Sequence, residues 1–148
     1  MTGHVIVVDD EAAIREAVQQ WLELSGFRVH SCATAQAALA LVDRDYPGII
    51  ISDVRMPGTD GLQLLDSVLE RDRDLPVILI TGHGDVPMAV QALRQGAYDF
   101  IEKPFTPERL LDSVRRALDK RRLVCENRQL RQQFALKDHI EAQLLGVS

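Results

Sequence analysis

The sequence contains an uninterrupted β-branched run that ends in an acidic residue and a loop: Ile49-Ile50-Ile51-Ser52-Asp53-Val54-Arg55-Met56-Pro57. Apolar residues without polar alternation are typical of a strand that is buried on both faces, as in a parallel sheet. The strand should end where Pro57 and Gly58 begin a loop. Asp53 would then lie at the carboxyl end of a central strand. On this stretch alone, the simpler interpretation is a turn or helix-capping aspartate.

Strands and helices alternate on both sides of this stretch. Short apolar segments predict strands at His4–Val8, Arg28–Cys32, Val77–Ile80 and Asp99–Glu102. Helical spacing and capping residues predict helices after Glu11, from Thr34 to Arg44, from Gly61, from Pro87 to Gly96 and from Pro107. The fourth helix carries the apolar residues Ala89, Val90 and Leu93. Because parallel neighbours need helical crossovers, this alternation predicts an α/β fold, a doubly wound five-stranded parallel sheet of flavodoxin-like order 2-1-3-4-5 with a C-terminal extended helix.

Polar residues occur where the predicted strands end. They are Asp9 and Asp10 after the first strand, Asp53 at the third, Thr81 at the fourth and Lys103 at the fifth. In the expected strand order, Asp9 and Asp10 lie beside Asp53. Each residue also has an ordinary structural explanation, as a helix cap, a strand-end hydroxyl or a solvated charge. Their coincidence at one edge of the sheet favours a functional site.

The residue types at this edge suit phosphoryl transfer. Clustered carboxylates repel one another, and a cation relieves that repulsion. Mg²⁺ prefers oxygen ligands and is typically held by one or two carboxylates together with phosphate oxygens. With the metal bound, Asp53 can act as a nucleophile and form an acyl phosphate. Lys103 would neutralise phosphate oxygens from the side opposite the metal, and the Thr81 hydroxyl would donate to another.

Composition excludes several other classes of protein. The 148 residues are 46% hydrophobic and suffice for one domain with a core and an extension. The net charge of −5 argues against direct nucleic-acid binding by this chain. No apolar run approaches the roughly 20 residues that span a bilayer, and no signal-peptide pattern precedes the first strand, so a cytoplasmic protein is expected. Cys32 and Cys125 are expected to be reduced structural thiols.

We predict a domain that covers residues 1–120, followed by a tail, residues 121–148, that forms a helical or coiled-coil linker. One helix could run well past residue 120, because no glycine or second proline follows Pro107 until Gly146. Four residues alternate by four and three positions and form a candidate dimer seam: Leu123, Asn127, Leu130 and Phe134. Asn127 would occupy a core position that fixes the register. The alternative is a solvated amphipathic linker, given the neighbouring Arg and Gln residues.

Four motifs, taken together and in order, resemble the receiver domain of two-component response regulators. They are Val8-Asp9-Asp10-Glu11, Ser52-Asp53-Val54-Arg55-Met56-Pro57-Gly58, Thr81-Gly82-His83 and Lys103-Pro104-Phe105, and the similarity covers roughly residues 4–120. The resemblance implies that Asp53 accepts phosphate from a phosphohistidine on a sensor histidine kinase.

The same resemblance implies a role for each further site residue. Asp10, Asp53 and the main-chain carbonyl of Arg55 would ligate Mg²⁺, and Asp9 would act mainly through water. Thr81 and Lys103 would bind the phosphoryl group. The switch aromatic aligns with Phe100, where many members carry tyrosine, so the hydroxyl hydrogen bond of tyrosine is missing here.

The resemblance also implies an output. Phosphorylation would reshape the surface of the fourth helix, fifth strand and fifth helix, and a homodimer is expected through this surface and the linker. The segment Glu126-Asn127-Arg128-Gln129-Leu130-Arg131 and the following Leu144-Leu145-Gly146 resemble the linker into the ATPase module of nitrogen-regulator-type activators of sigma-54 polymerase. The stretch from Thr81 to Val90 is similar to the C4-dicarboxylate transport regulators of that group.

Other functions remain open from the sequence. The same stretch from Thr81 to Val90 is also similar to nitrogen-fixation regulators with a helix-turn-helix output. An aspartyl-phosphate hydrolase is a further alternative, but such enzymes usually carry a second acid two residues after the nucleophile, where this chain has Arg55. The expected role is therefore regulatory, with Mg²⁺-assisted phosphotransfer to its own aspartate and slow self-dephosphorylation as the only chemistry.

Overall fold

One parallel sheet organises the molecule. The computed structural model describes the backbone of residues 3–82 and 85–144 and the side chains of residues 3–82 and 85–137. His83, Gly84, Leu145 and Gly146, which the sequence motifs include, lie outside the described residues. The five strands follow the order β2-β1-β3-β4-β5, and every pair of neighbours is parallel. The predicted flavodoxin-like fold is confirmed.

The strands and helices alternate along the chain as predicted. The strands are β1 (His4–Val8), β2 (Arg28–Cys32), β3 (Gly48–Asp53), β4 (Val77–Thr81) and β5 (Asp99–Glu102). The helices are α1 (Ala12–Leu24), α2 (Ala35–Leu39), α3 (Gly61–Arg71), α4 (Val86–Gln95) and α5 (Pro107–Leu144). The helices α1 to α4 each connect one strand to the next parallel strand, and α5 follows the last strand.

The central strand β3 is buried along its whole length. It pairs with β1 and β4, with Val8 opposite Ser52 and Asp53 opposite Ile80. This register brings the residues that follow β1 beside Asp53. Because side chains alternate along a strand, the two faces of the sheet carry separate apolar cores beneath the helices.

The helix α3 begins against the main chain of Asp53. A Cβ atom on Gly61 would lie 2.5 Å from the main-chain oxygen of Asp53, so this approach requires glycine. The Gly61 amide donates to the main-chain oxygen of Val54 at 2.9 Å. Asp60 and Gln63 form a reciprocal capping box at the start of the helix. The loop between Asp53 and α3 is thus anchored at both ends.

The second helix is shorter than predicted. It ends at Leu39 instead of Arg44, although Val42 beyond its end is buried. The Asp43 side chain accepts a hydrogen bond from the Asp45 amide at 3.2 Å. Such a side-chain turn competes with continuation of a helix, which explains the early end.

The inward face of α4 consists of small side chains. Ala89 and Ala92 are buried, whereas Val90 and Leu93 are 40% and 38% exposed. Two alanines let the helix lie close to the sheet. Val90 is then turned by about 100° from Ala89, toward solvent. The helix therefore presents apolar side chains outward.

The last helix runs without a break from Pro107 to Leu144. Its first part packs on the sheet through Leu110, Val114 and Ala117, which are buried. The predicted domain boundary at residue 120 therefore falls inside one continuous helix. Within the described residues, no helix combines the length and the apolar character needed to cross a membrane.

Candidate functional site

Three carboxylates meet at the carboxyl edge of the sheet. Asp9, Asp10 and Asp53 each offer an oxygen, and these oxygens lie within 4.8 Å of one another. Asp9 and Asp53 are buried, whereas Asp10 is exposed. The parallel pairing of β1 with β3 produces this arrangement, which the sequence order of strands and acids anticipates.

The surroundings of Asp9 fit a bound cation. Its Oδ1 atom accepts the Glu11 amide at 2.9 Å, but its buried Oδ2 atom has no hydrogen-bond partner among the described residues. Burial raises the pKa of Asp9, and the negative charges of Asp53 and Asp10 raise it further, against the opposing effects of the Glu11 amide and Lys103. A buried carboxylate oxygen without a partner, next to two more carboxylates, is a suitable donor set for Mg²⁺.

Asp53 already has partners on both of its oxygens. The Arg55 amide donates to Oδ1 at 3.1 Å, and the Lys103 ammonium donates to Oδ2 at 3.1 Å. Lys103 reaches the site because its amide donates to the main-chain oxygen of Thr81 at 2.8 Å, which fixes the end of β5 against β4. The Lys103–Pro104 peptide bond is cis. The carboxylate thus faces a cation on one side and the acidic cluster on the other.

Thr81 and Phe100 lie on neighbouring strands, Thr81 at the end of β4 and Phe100 in β5 opposite Leu79. The Thr81 hydroxyl is fully buried at the end of β4 and has no hydrogen-bond partner within the part of the chain that the structure describes. Phe100 in β5 is half-buried and packs against the core on the side of α4. A buried hydroxyl without a partner normally destabilises a fold, so Thr81 is a suitable donor for an incoming oxygen ligand.

An ion pair between two loops was not anticipated from the sequence. The Arg55 guanidinium donates from Nε to both oxygens of Asp85 at 2.8 Å and from Nη2 to Oδ1 at 2.6 Å. These hydrogen bonds hold the pKa of Asp85 below its ordinary value. The pair links the loop after β3 to the start of α4. The sequence predicted a metal-binding main-chain carbonyl at Arg55 and no second acid there, but it did not predict this pair, because nothing in the spacing of Arg55 and Asp85 marks them as partners.

The predicted linker residues lie far along α5 from this site. The side chains of Leu123, Leu130 and Phe134 are 58%, 53% and 63% exposed, and Asn127 is exposed as well. In the single chain, all four form an outward apolar stripe interrupted by one amide. These four residues are not part of the acidic cluster of Asp9, Asp10 and Asp53.

The sequence and fold match known proteins over most of the chain. The family described as response regulator receiver domain matches residues 5–115. The chain is 53% identical over 144 residues to the C4-dicarboxylate transport transcriptional regulatory protein DctD of Pseudomonas aeruginosa, covering 97% of this chain and 31% of that protein. It is 60% identical over 127 residues to DctD of Rhizobium meliloti, covering 86% of this chain and 28% of that protein.

Solved structures give the same relationship. A crystal structure of NtrX from Brucella abortus in complex with ADP has a TM-score of 0.79 and 40% identity, covering 88% of this chain and 30% of that one. The chain therefore spans less than a third of each of these relatives.

Proposed function

The chain belongs to the response regulator receiver domain family, and from that premise we propose that Asp53 is its phosphoacceptor. The observation that carries the proposal is the position of Asp53, which lies within 4.8 Å of two other carboxylates and 3.1 Å from the ammonium of Lys103. The phosphodonor is a phosphohistidine of a sensor histidine kinase.

The chemistry is an in-line exchange of one bond for another. A carboxylate oxygen of Asp53 forms a bond to phosphorus while the bond between phosphorus and the histidine nitrogen breaks, and that nitrogen takes the electron pair. Asp10, Asp53 and the main-chain carbonyl of Arg55 would hold Mg²⁺, with Asp9 acting through water, and the bound ion neutralises charge on the carboxylates and phosphoryl oxygens. Lys103 and the Thr81 hydroxyl bind the remaining phosphoryl oxygens. Slow hydrolysis of the acyl phosphate resets the domain.

Phosphorylation then changes the surface of α4, β5 and α5. The buried hydroxyl of Thr81 moves toward the phosphoryl group, and Phe100 follows into the space that it leaves. Exposed Val90 and Leu93 on α4 support a protein contact at this surface. The partner at this surface is a second copy of the chain, and the linker seam of Leu123, Asn127, Leu130 and Phe134 adds to the homodimer.

The output belongs to a longer protein. The similarity to DctD, of which this chain spans less than a third, supports a transcriptional regulator in the cytoplasm with a downstream ATPase that activates sigma-54 polymerase. A helix-turn-helix output is the alternative. A phosphate-ester hydrolase is disfavoured because the residue two positions after Asp53 is Arg55, whose side chain is paired with Asp85.

Uptake of labelled phosphate from a small acyl phosphate with Mg²⁺ tests the proposal. The wild-type chain should incorporate close to one phosphoryl group, and Asp53→Asn should incorporate none. Asp66→Asn is a matched control, because it makes the same substitution at an exposed carboxylate of α3. Equal incorporation in Asp53→Asn and wild type would overturn the assignment.

A further inference from the structure

Two arginines of the predicted linker bind a buried aspartate of the domain. The Arg121 Nη2 atom lies 2.8 Å from Asp72 Oδ2, and both side chains are only 1% exposed. Arg128 is also paired with Asp72, with Nη1 2.9 Å from Oδ2 and Nη2 2.7 Å from Oδ1. Asp72 follows the last residue of α3 as its C-terminal cap. We call the three residues Asp72, Arg121 and Arg128 the linker clamp.

The clamp also contacts the loop before β3. Arg121 donates from Nε to the main-chain oxygen of Tyr46 at 2.9 Å and from Nη2 to that of Arg44 at 3.0 Å. Arg128 donates to the same Arg44 oxygen at 2.9 Å. Main-chain oxygens at the amino edge of the sheet thus accept hydrogen bonds from residues more than 70 positions later in the chain. These contacts hold α5 against the domain beyond the predicted boundary at residue 120.

Because Arg121 is buried, the stability of the fold depends on the partners of its guanidinium. A buried guanidinium is strongly destabilising unless a carboxylate and other acceptors surround it. Asp72 and two main-chain oxygens supply partners for Nε and Nη2, whereas the buried Nη1 atom has no hydrogen-bond partner among the described residues. The folded domain therefore holds the Arg121 guanidinium in a site formed by the end of α3 and the loop before β3. In a solvated linker the Arg121 guanidinium would be exposed to water, but its side chain is only 1% exposed here.

The spacing of the two arginines separates the clamp from the seam. With about 3.6 residues per turn, Arg121 and Arg128 lie within roughly 20° of each other on the helix surface. The seam residues lie roughly 180° to 240° further round, at Leu123, Asn127, Leu130 and Phe134. The exposure of the seam agrees with this separation. One side of the helix can therefore bind its own domain while the other side stays open.

We propose that the linker clamp is an intramolecular docking site that makes α5 through Arg128 part of the folded receiver domain and fixes the direction in which the seam faces. The docking depends on the contacts of Asp72, Arg121 and Arg128 and does not require phosphorylation or dimerisation. The linker is therefore a rigid extension of the domain up to residue 128, and a second copy that binds the seam would meet the receiver at one set angle.

Amide hydrogen exchange on the full 148-residue chain tests this docking. In the wild type, amides of residues 121–128 should be protected like those of the buried part of α5. Asp72→Asn and Arg128→Gln should each speed their exchange roughly ten- to a hundredfold, the factor expected when hydrogen bonds to a charged group are lost. Arg131→Gln is the control, because this arginine is exposed three positions further along the same helix.

The two variants separate local release from global unfolding. Asp72→Asn leaves Arg121 buried without its carboxylate and can destabilise the whole domain, which would also speed exchange in β1 and β3. Arg128→Gln retains the pair between Asp72 and Arg121, so its effect should be confined to α5. Exchange over residues 121–128 that is the same in Arg128→Gln, Arg131→Gln and wild type would overturn the proposal.

Discussion

The Nζ atom of Lys103 lies 3.1 Å from the Oδ2 atom of Asp53, although 50 positions separate the two residues. The ammonium is thus in place before any phosphoryl group arrives. A cation held in advance stabilises the negative charge that develops as phosphate transfers, without reorganisation during the reaction. In the proposed mechanism, a metal ion held by the acidic cluster of Asp9, Asp10 and Asp53 would supply a second positive charge.

Removal of this ammonium should slow phosphorylation far more than it affects metal binding. We expect Lys103→Met to reduce the rate of phosphate uptake from a small acyl phosphate roughly a hundredfold. Mg²⁺ binding should be unchanged or tighter, because a neighbouring positive charge is gone. Lys120→Met, at an exposed lysine of α5, is the control. A wild-type rate in Lys103→Met would exclude the proposed role of Lys103.

Asp9→Asn should have opposite effects on metal binding and on the metal-free fold. Burial and the charge of Asp53 raise the pKa of Asp9, which means that its ionised form is unfavourable in the folded chain. In EDTA, the amide should raise the free energy of unfolding, because it removes a buried carboxylate whose ionised form is unfavourable. The same change should weaken Mg²⁺ binding. Urea unfolding and titration calorimetry measure the two effects, and a loss of metal-free stability would contradict this account.

The linker clamp predicts a specific pH dependence. Burial by itself raises the pKa of Asp72, but hydrogen bonds from Arg128, the Asp74 amide and Arg121 outweigh it and hold the pKa well below the ordinary value of 3.8. Because the folded pKa is lowered, the stabilisation is complete above the unfolded pKa and is lost as pH falls below about 4 toward the folded pKa.

The comparison with a variant isolates this contribution. The difference in free energy of unfolding between wild type and Asp72→Asn should be constant from pH 7 to pH 5 and should shrink below about pH 4. Urea unfolding at each pH measures it, and the other carboxylates cancel because both chains carry them. A difference that does not change between pH 5 and pH 3 would show that Asp72 is not held in its ionised form.

The exposed seam predicts the oligomeric state. Sedimentation of the wild-type chain should show a dimer, and Leu130→Asp should shift it to a monomer because a charge would enter the apolar stripe. Leu136→Asp is the matched control, since Leu136 is 59% exposed but lies on another side of α5. A wild-type monomer, both alone and with Mg²⁺ and beryllofluoride as a phosphoryl mimic, would contradict the dimer.

The residues at the carboxyl edge could be predicted because each ends a strand or comes directly after one. Strand ends are local features of a sequence, and the parallel order of strands brings them together. Asp9, Asp53, Thr81 and Lys103 were found in this way. The linker clamp could not be predicted in this way, because Asp72 caps the end of α3 and Arg128 lies within α5, 56 positions later, and no shared motif connects them.

The buried face of α4 could not be predicted from hydrophobicity. Val90 and Leu93 are more hydrophobic than alanine, so a pattern based on hydrophobicity turns them inward. Packing instead uses Ala89 and Ala92, because small side chains allow the helix to approach the sheet closely. Sequence periodicity alone does not distinguish a large apolar residue in the core from one on an interaction surface.

The central claim is that Asp53 carries the phosphate, and borohydride trapping tests it most directly. Borohydride reduces an aspartyl phosphate to homoserine, which mass spectrometry locates in a peptide. After treatment with a small acyl phosphate and Mg²⁺, homoserine should occur at position 53 and should be absent when EDTA replaces Mg²⁺. Homoserine at another aspartate, or phosphate incorporation with residue 53 unmodified, would contradict the account.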